Sequence, residues 1–170
     1  TRRFEGKKVT FHHHDVEGAK ITRKRMKALR FDKSTTNAVA ELVAGVVEWN
    51  RGPMGMAAGF PLNDPRTTVS IGDVGALLRH EKQAFDAIML DVDNGPEGLT
   101  RKENDWLYSP RGLESAQEAL RPDGVLAVWS AGRDPAFTER LRRIGFNVEE
   151  REVRAHRPGK GARHMIWLAW

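Results

Sequence analysis

Phe85-Asp86-Ala87-Ile88-Met89-Leu90-Asp91 is a short apolar run closed by a carboxylate. A continuous apolar run of this length reads as a strand buried on both faces, which is how parallel sheets with helices on either side are built. Outward from it, strand-like and helix-like segments alternate. Downstream, Ser109-Pro110 is an N-cap followed by a first helical position, and Leu113, Ala116, Ala119 and Leu120 keep helical spacing. Arg121-Pro122-Asp123-Gly124 predicts a turn and residues 125–130 a strand. Asp134-Pro135 repeats the cap signal for a helix that Gly145 stops, and residues 146–153 and 164–170 read as a terminal antiparallel hairpin joined by residues 157–161.

Upstream, β-branched residues 67–71 predict another strand, ended by Gly72-Asp73, with a short helix through Leu77 and Leu78. Residues 37–41 read as a strand and 42–51 as a helix, followed by an irregular connection over 52–65. Residues 9–13 read as a weak first strand, before an expected loop at 14–19 and an expected basic helix at about 20–31. Seven strands with helices between the first six predict an α/β chain with a Rossmann-like, class I methyltransferase-type fold. Its sheet is expected to be seven-stranded and mostly parallel with a terminal antiparallel strand, and residues 1–170 are expected to form one domain.

Composition narrows the function classes. The 170 residues contain no cysteine, which excludes disulfides, thiolate metal sites and a cysteine nucleophile and fits a reducing, cytoplasmic compartment. No apolar run approaches the length of a membrane span, and the N-terminus has no apolar signal core. The net charge of +5 is unevenly placed, because residues 1–30 carry ten Lys or Arg against three acids. That atypical basic segment, residues 1–36, reads as a solvated helix face. Nucleic acid is not expected as a partner, since no aromatic residues are interleaved with the cations to stack on bases. Adjacent strand residues point to opposite faces, so at most His12 and His14 of the triplet His12-His13-His14 share one ion, and no metal is expected.

Ligands of open α/β sheets bind at the carboxyl ends of the strands, where three acids fall. Glu41 closes one predicted strand, Asp73 follows the next, and Asp91 closes the apolar run. Two carboxylate oxygens match a vicinal diol such as that of ribose, and a carboxylate after the following strand can accept from an adenine amino group. Singly, each acid is equally a helix cap or a turn residue. The segment Asp91-Val92-Asp93-Asn94-Gly95-Pro96-Glu97 gathers acids directly after a buried strand, where they either hold a cationic amine or only shape the turn.

Gly72-Asp73, the run from Phe85 to Asp91, Asn94-Gly95-Pro96, Leu107-Tyr108-Ser109 and the stretch from Ala119 to Leu126 together resemble spermidine synthase and its spermidine-synthase-like relatives, over about residues 38–170. The resemblance implies transfer of an aminopropyl (or methyl) group from S-adenosylmethionine or its decarboxylated form to a small-molecule amine or polyamine, in a possible homodimer. By position it implies that Glu41, Gly72 and Asp73 bind the donor, that Asp91 is catalytic, and that Asp93, Asn94 and Tyr108 bind the amine. The sequence also departs from the family: Asn94 lies nearest the second loop aspartate, Val43 replaces an acid, and the preceding residues show no counterpart of the family's N-terminal β-domain. The segment from His12 to Ala19 holds a single glycine where a nucleotide loop needs several. The alternative expectation is therefore a non-catalytic binding module with a degenerate cofactor loop.

Overall fold

The computed structural model describes residues 37–41, 44–92, 95–96, 104–154 and 162–170. In chain order these form β1 (Asn37–Glu41), α1 (Ala44–Arg51), α2 (Pro53–Ala58), a 3-10 turn (Pro61–Asn63), β2 (Thr67–Ile71), α3 (Val74–His80) and β3 (Phe85–Leu90). Then follow α4 (Asp105–Tyr108), α5 (Pro110–Ala119), β4 (Leu120–Ser130), α6 (Pro135–Ile144), β5 (Val148–Arg154) and β6 (Arg163–Ala169).

The parallel character read from the apolar run holds. β3 pairs with β4 in parallel, and β1 with β2 from Asn37 opposite Thr67 to Glu41 opposite Ile71. The terminal hairpin also holds: β5 and β6 run antiparallel, from Val148 opposite Ala169 to Arg154 opposite Arg163. One continuous seven-stranded sheet is not what the described residues contain. They hold six strands, in a two-stranded sheet β1-β2 and a four-stranded sheet β3-β4-β6-β5. The strand expected at 9–13, the glycine-poor loop after it and the basic helix at 20–31 lie outside the described residues.

Side chains explain the helix ends. Asp134 accepts from the Phe137 amide at 2.9 Å, with Pro135 as first helical residue, and Gly145 closes α6 in the left-handed region at φ 110°. Ser109 Oγ accepts from the Gly112 amide at 3.2 Å and so starts α5. Three elements depart from the sequence reading. The supposedly irregular stretch contains α2, started by Pro53 and ended by Gly59 at φ 75°. The four-residue helix α4 had no apolar period to announce it. The expected turn at 121–124 is a bulge inside β4: Phe85 faces Leu120, Ala87 faces Val125, and Asp123 takes up the extra chain at φ 64°.

The core is layered. On one face of the four-stranded sheet, Ile88, Leu90, Leu126, Val128 and Trp167 pack against Leu78 of α3, Leu113 and Ala116 of α5, and Phe137 and Leu141 of α6. Each such side chain contributes about 1.5–3 kcal/mol of burial. Val125, Ala127, Trp129, Ile166 and Leu168 form a second buried cluster made of sheet residues. No described helix is long and apolar enough to cross a membrane.

Candidate active site

Parallel pairing sends the ends of β1 and β2 to one edge. Glu41 stands opposite Ile71, and its carbonyl accepts the Gly72 amide at 3.0 Å, so Glu41, Gly72 and Asp73 lie at the same edge. Gly72, Asp73, Ala40, Ser70, Ala76, Leu77 and His80 line an open depression of about 330 Å³. That is near the lower end of the ~300–1,000 Å³ range of small-molecule clefts.

Asp73 is also the N-cap of α3. Its Oδ1 accepts from the Gly75 amide at 2.8 Å, and its Oδ2 accepts from the Ala76 amide at 3.1 Å and from Arg79 Nη2 at 3.3 Å. Both readings left open by the sequence therefore meet in one carboxylate. Its side chain is still 60% exposed, and of a carboxylate's roughly four lone-pair sites these three bonds leave one, on Oδ1.

Asp91 follows β3 and is exposed. The next residue supplies the anchor of the loop: the Val92 carbonyl accepts from the Gly95 amide at 3.3 Å and from the Tyr108 hydroxyl at 2.8 Å. Gly95 sits at φ 90° against Ser130, the last residue of β4, and a Cβ placed on it would come within 2.5 Å of Ser130 Cβ. Only glycine fits there, because both the backbone angle and the space exclude a side chain. Asp93 and Asn94 lie outside the described residues.

Tyr108 is not an open amine-contacting group. It is 3% exposed, and its ring meets Phe137 edge to face at 5.9 Å. The resemblance placed it among the amine-binding residues; the fold buries it, with its hydroxyl donating to the Val92 carbonyl.

α4 joins the two groups of acids. At one end Trp106 packs 3.2 Å from where a Cβ on Gly75 would stand, two residues beyond Asp73, and Arg79 stacks on its ring at 4.4 Å. At the other end Tyr108 reaches Val92, next to Asp91. Neither Arg79 nor Trp106 was marked in the sequence. Arg79, on the last turn of a capped helix, looks like an ordinary dipole-complementing cation.

A second cavity of about 300 Å³, lined by Gln83, Gln117, Arg121, Asp123, Phe146 and Trp170, lies at the amino end of β4. That is the wrong end for ligands of a parallel sheet. Among the described residues no group of three or more His, Asp or Glu is arranged to hold a metal ion.

A profile of the spermine/spermidine synthase domain matches residues 22–141. No curated protein matches the chain. Among solved structures, a spermidine synthase in complex with the transition-state analogue AdoDATO superposes with a TM-score of 0.57 at 21% identity, over 79% of this chain and 44% of that one. The spermidine synthase of Thermotoga maritima gives 0.57 at 20%, over 79% and 45%. A precorrin 8w decarboxylase from Methanobacterium thermoautotrophicum gives 0.52 at 15%, over 78% and 68%. At these identities the likeness is one of fold, a mixed α/β, methyltransferase-like fold. The chain spans less than half the length of the two spermidine synthases.

Proposed function

Since the chain belongs to the spermine/spermidine synthase domain family, we propose that it is a transferase moving an aminopropyl (or methyl) group from an adenosylated sulfonium donor to an amine. The observation that carries this reading is the meeting of Glu41, Gly72 and Asp73 at the carboxyl edge of β1 and β2, beside an open depression and bridged through α4 to Val92, the residue after Asp91. In the proposal Glu41 takes the ribose hydroxyls, Gly72 and Asp73 take the adenine, and Asp91 holds the amine. The donor is S-adenosylmethionine or its decarboxylated form.

The chemistry asks little of the protein beyond placement. The amine nitrogen attacks the carbon attached to the sulfonium, the C–N bond forms as the C–S bond breaks, and sulfur leaves as a neutral thioether. A protonated amine cannot attack, so a carboxylate must first hold the cation and then accept its proton, the role proposed for Asp91. Asp93 and Asn94 complete the amine pocket in this reading.

The same reading takes residues 1–170 as one domain. In this reading a seventh strand lies between β1 and β3, which are edge strands in the orders β2-β1 and β3-β4-β6-β5. Residues 9–13 are the proposed occupant.

Asp73 favours a second reading. Both of its oxygens already serve α3 and Arg79, as they would in a binding module that kept the sheet and lost the cofactor. Calorimetric titration with S-adenosylmethionine, its decarboxylated form and methylthioadenosine separates the two, followed by a transfer assay with putrescine, spermidine and cadaverine. Binding and transfer are expected. Absence of both leaves the binding module.

A further inference from the structure

Tyr108 has an unusually well-fixed frame, and its hydroxyl donates to a carbonyl 16 positions back along the chain. Its carbonyl accepts from Arg140 Nη1 of α6 at 2.9 Å. The following residue, Ser109, caps α5 and returns its hydroxyl to the Trp106 carbonyl at 2.7 Å. Gly112, in the first turn of α5, lies so close to Trp106 and Leu107 that a Cβ has no room. The ring is held by Phe137, which itself meets Trp167 edge to face at 5.0 Å. Backbone and ring are thus both tied to the sheet core, and the hydroxyl is carried on a rigid arm.

The recipient of that hydroxyl is different in kind. Val92 follows the exposed Asp91, and three residues on, Gly95 closely approaches Ser130. A carbonyl that accepts from both the Gly95 amide and the Tyr108 hydroxyl fixes the direction in which the chain leaves β3.

We propose that Tyr108 is a positioning residue, whose core-anchored hydroxyl holds the Val92 carbonyl and thereby sets the bearing of Asp91 toward the amine. The catalytic part of this inference rests on the transferase reading; the mechanical part does not. Precise placement of a proton acceptor matters because transfer requires hydrogen-bond reach to the amine.

The test is Tyr108→Phe in the full chain, which keeps the ring packing and removes one oxygen. Amide exchange of Gly95 is expected to speed up about tenfold, while the Leu126 and Val128 amides of β4 keep their wild-type rates. In the putrescine assay, kcat per active site, with sites counted by methylthioadenosine binding, is expected to fall about three- to tenfold with the methylthioadenosine Kd held within twofold. A merely structural defect would lower the number of sites and leave kcat per site unchanged. Unaltered Gly95 exchange overturns the proposal whether or not the wild type turns over. Faster Gly95 exchange with unchanged kcat per site overturns its catalytic part. A wild type that neither binds methylthioadenosine nor transfers sinks the transferase reading, and Gly95 exchange then still decides the role of Tyr108.

Discussion

The Asp73 carboxylate caps α3 while standing at the rim of the depression, and substitution separates the two duties. Serine caps a helix about as well as aspartate but is shorter, whereas alanine does not cap. Asp73→Ala should cost about 1 kcal/mol of stability, and Asp73→Ser should cost less than about half of that. Both should weaken methylthioadenosine binding by about 1 kcal/mol if the carboxylate also takes the adenine. Denaturant midpoints and calorimetry on the same two variants check this, and full affinity in Asp73→Ser would leave capping as the residue's whole role. For Asp91, replacement by asparagine keeps the shape and loses proton acceptance. Turnover should then drop by ~10²- to 10⁴-fold, with donor affinity almost unchanged, as single-turnover assays would show. Glu41, Gly72 and Asp73 were legible because strand ends are legible from apolar runs followed by acids. Tyr108 was not, since nothing local in Leu107-Tyr108-Ser109 says that its hydroxyl turns inward to a carbonyl 16 residues earlier.

Among the helices, a side-chain cap made α5 and α6 readable, and its lack hid α4. α5 and α6 begin at Ser-Pro and Asp-Pro pairs whose side chains make the expected bonds, but α4 is four residues long and starts at Asn104 without a side-chain cap. The bulge of β4 was mistaken for a turn because Pro122, Asp123 and Gly124 carry turn chemistry whether the chain reverses or only kinks. The packing of α6 on the hairpin was also invisible. There Thr138 receives the indole N–H of Trp167 at 2.8 Å and donates to Glu150 of β5, which Arg133 also meets at 3.0 Å. The Thr138 hydrogen bond, followed by that of Arg133, holds the Glu150 carboxyl below its ordinary value of 4.5. A carboxylate whose folded pKa is depressed adds stability above its unfolded pKa and loses it as pH falls through the folded value. Glu150→Gln should accordingly be destabilised by about 1 kcal/mol at pH 7, and the gap should narrow on acidification below the ordinary carboxylate range. Urea midpoints across pH 3–7 measure it. A constant gap would mean that the charge is not what the network uses.

At the scale of the molecule, the described pairings leave both edges of each sheet open, and two of these four edges, that of β1 away from β2 and that of β3 away from β4, would be joined in the single-sheet reading. Natural edge strands are protected by charge, proline or a bulge. The Phe85–Leu90 strand instead reads as an interior strand, which is why it decided the fold from sequence, and its core-facing Ile88 and Leu90 are buried. Yet Met89 on its other face is 60% exposed and Ile71 of β2 59% exposed, more than an interior sheet position usually shows. A seventh strand between β1 and β3 would pair those two edges, while the exposed faces of Met89 and Ile71 would be covered only by an element packed on the sheet. In a parallel strand successive amides point alternately to the two neighbours, so β4 can protect only every second amide of β3. Hydrogen exchange on the full chain should therefore find all the amides from Ala87 to Leu90 as slow as those of Leu126 to Val128 in β4. If alternate β3 amides instead exchange at the rate of an open edge, β3 is a true edge and the single-sheet reading fails. The donor site would then lack the strand and loop that should form its floor, and the binding module would become the better account of the chain.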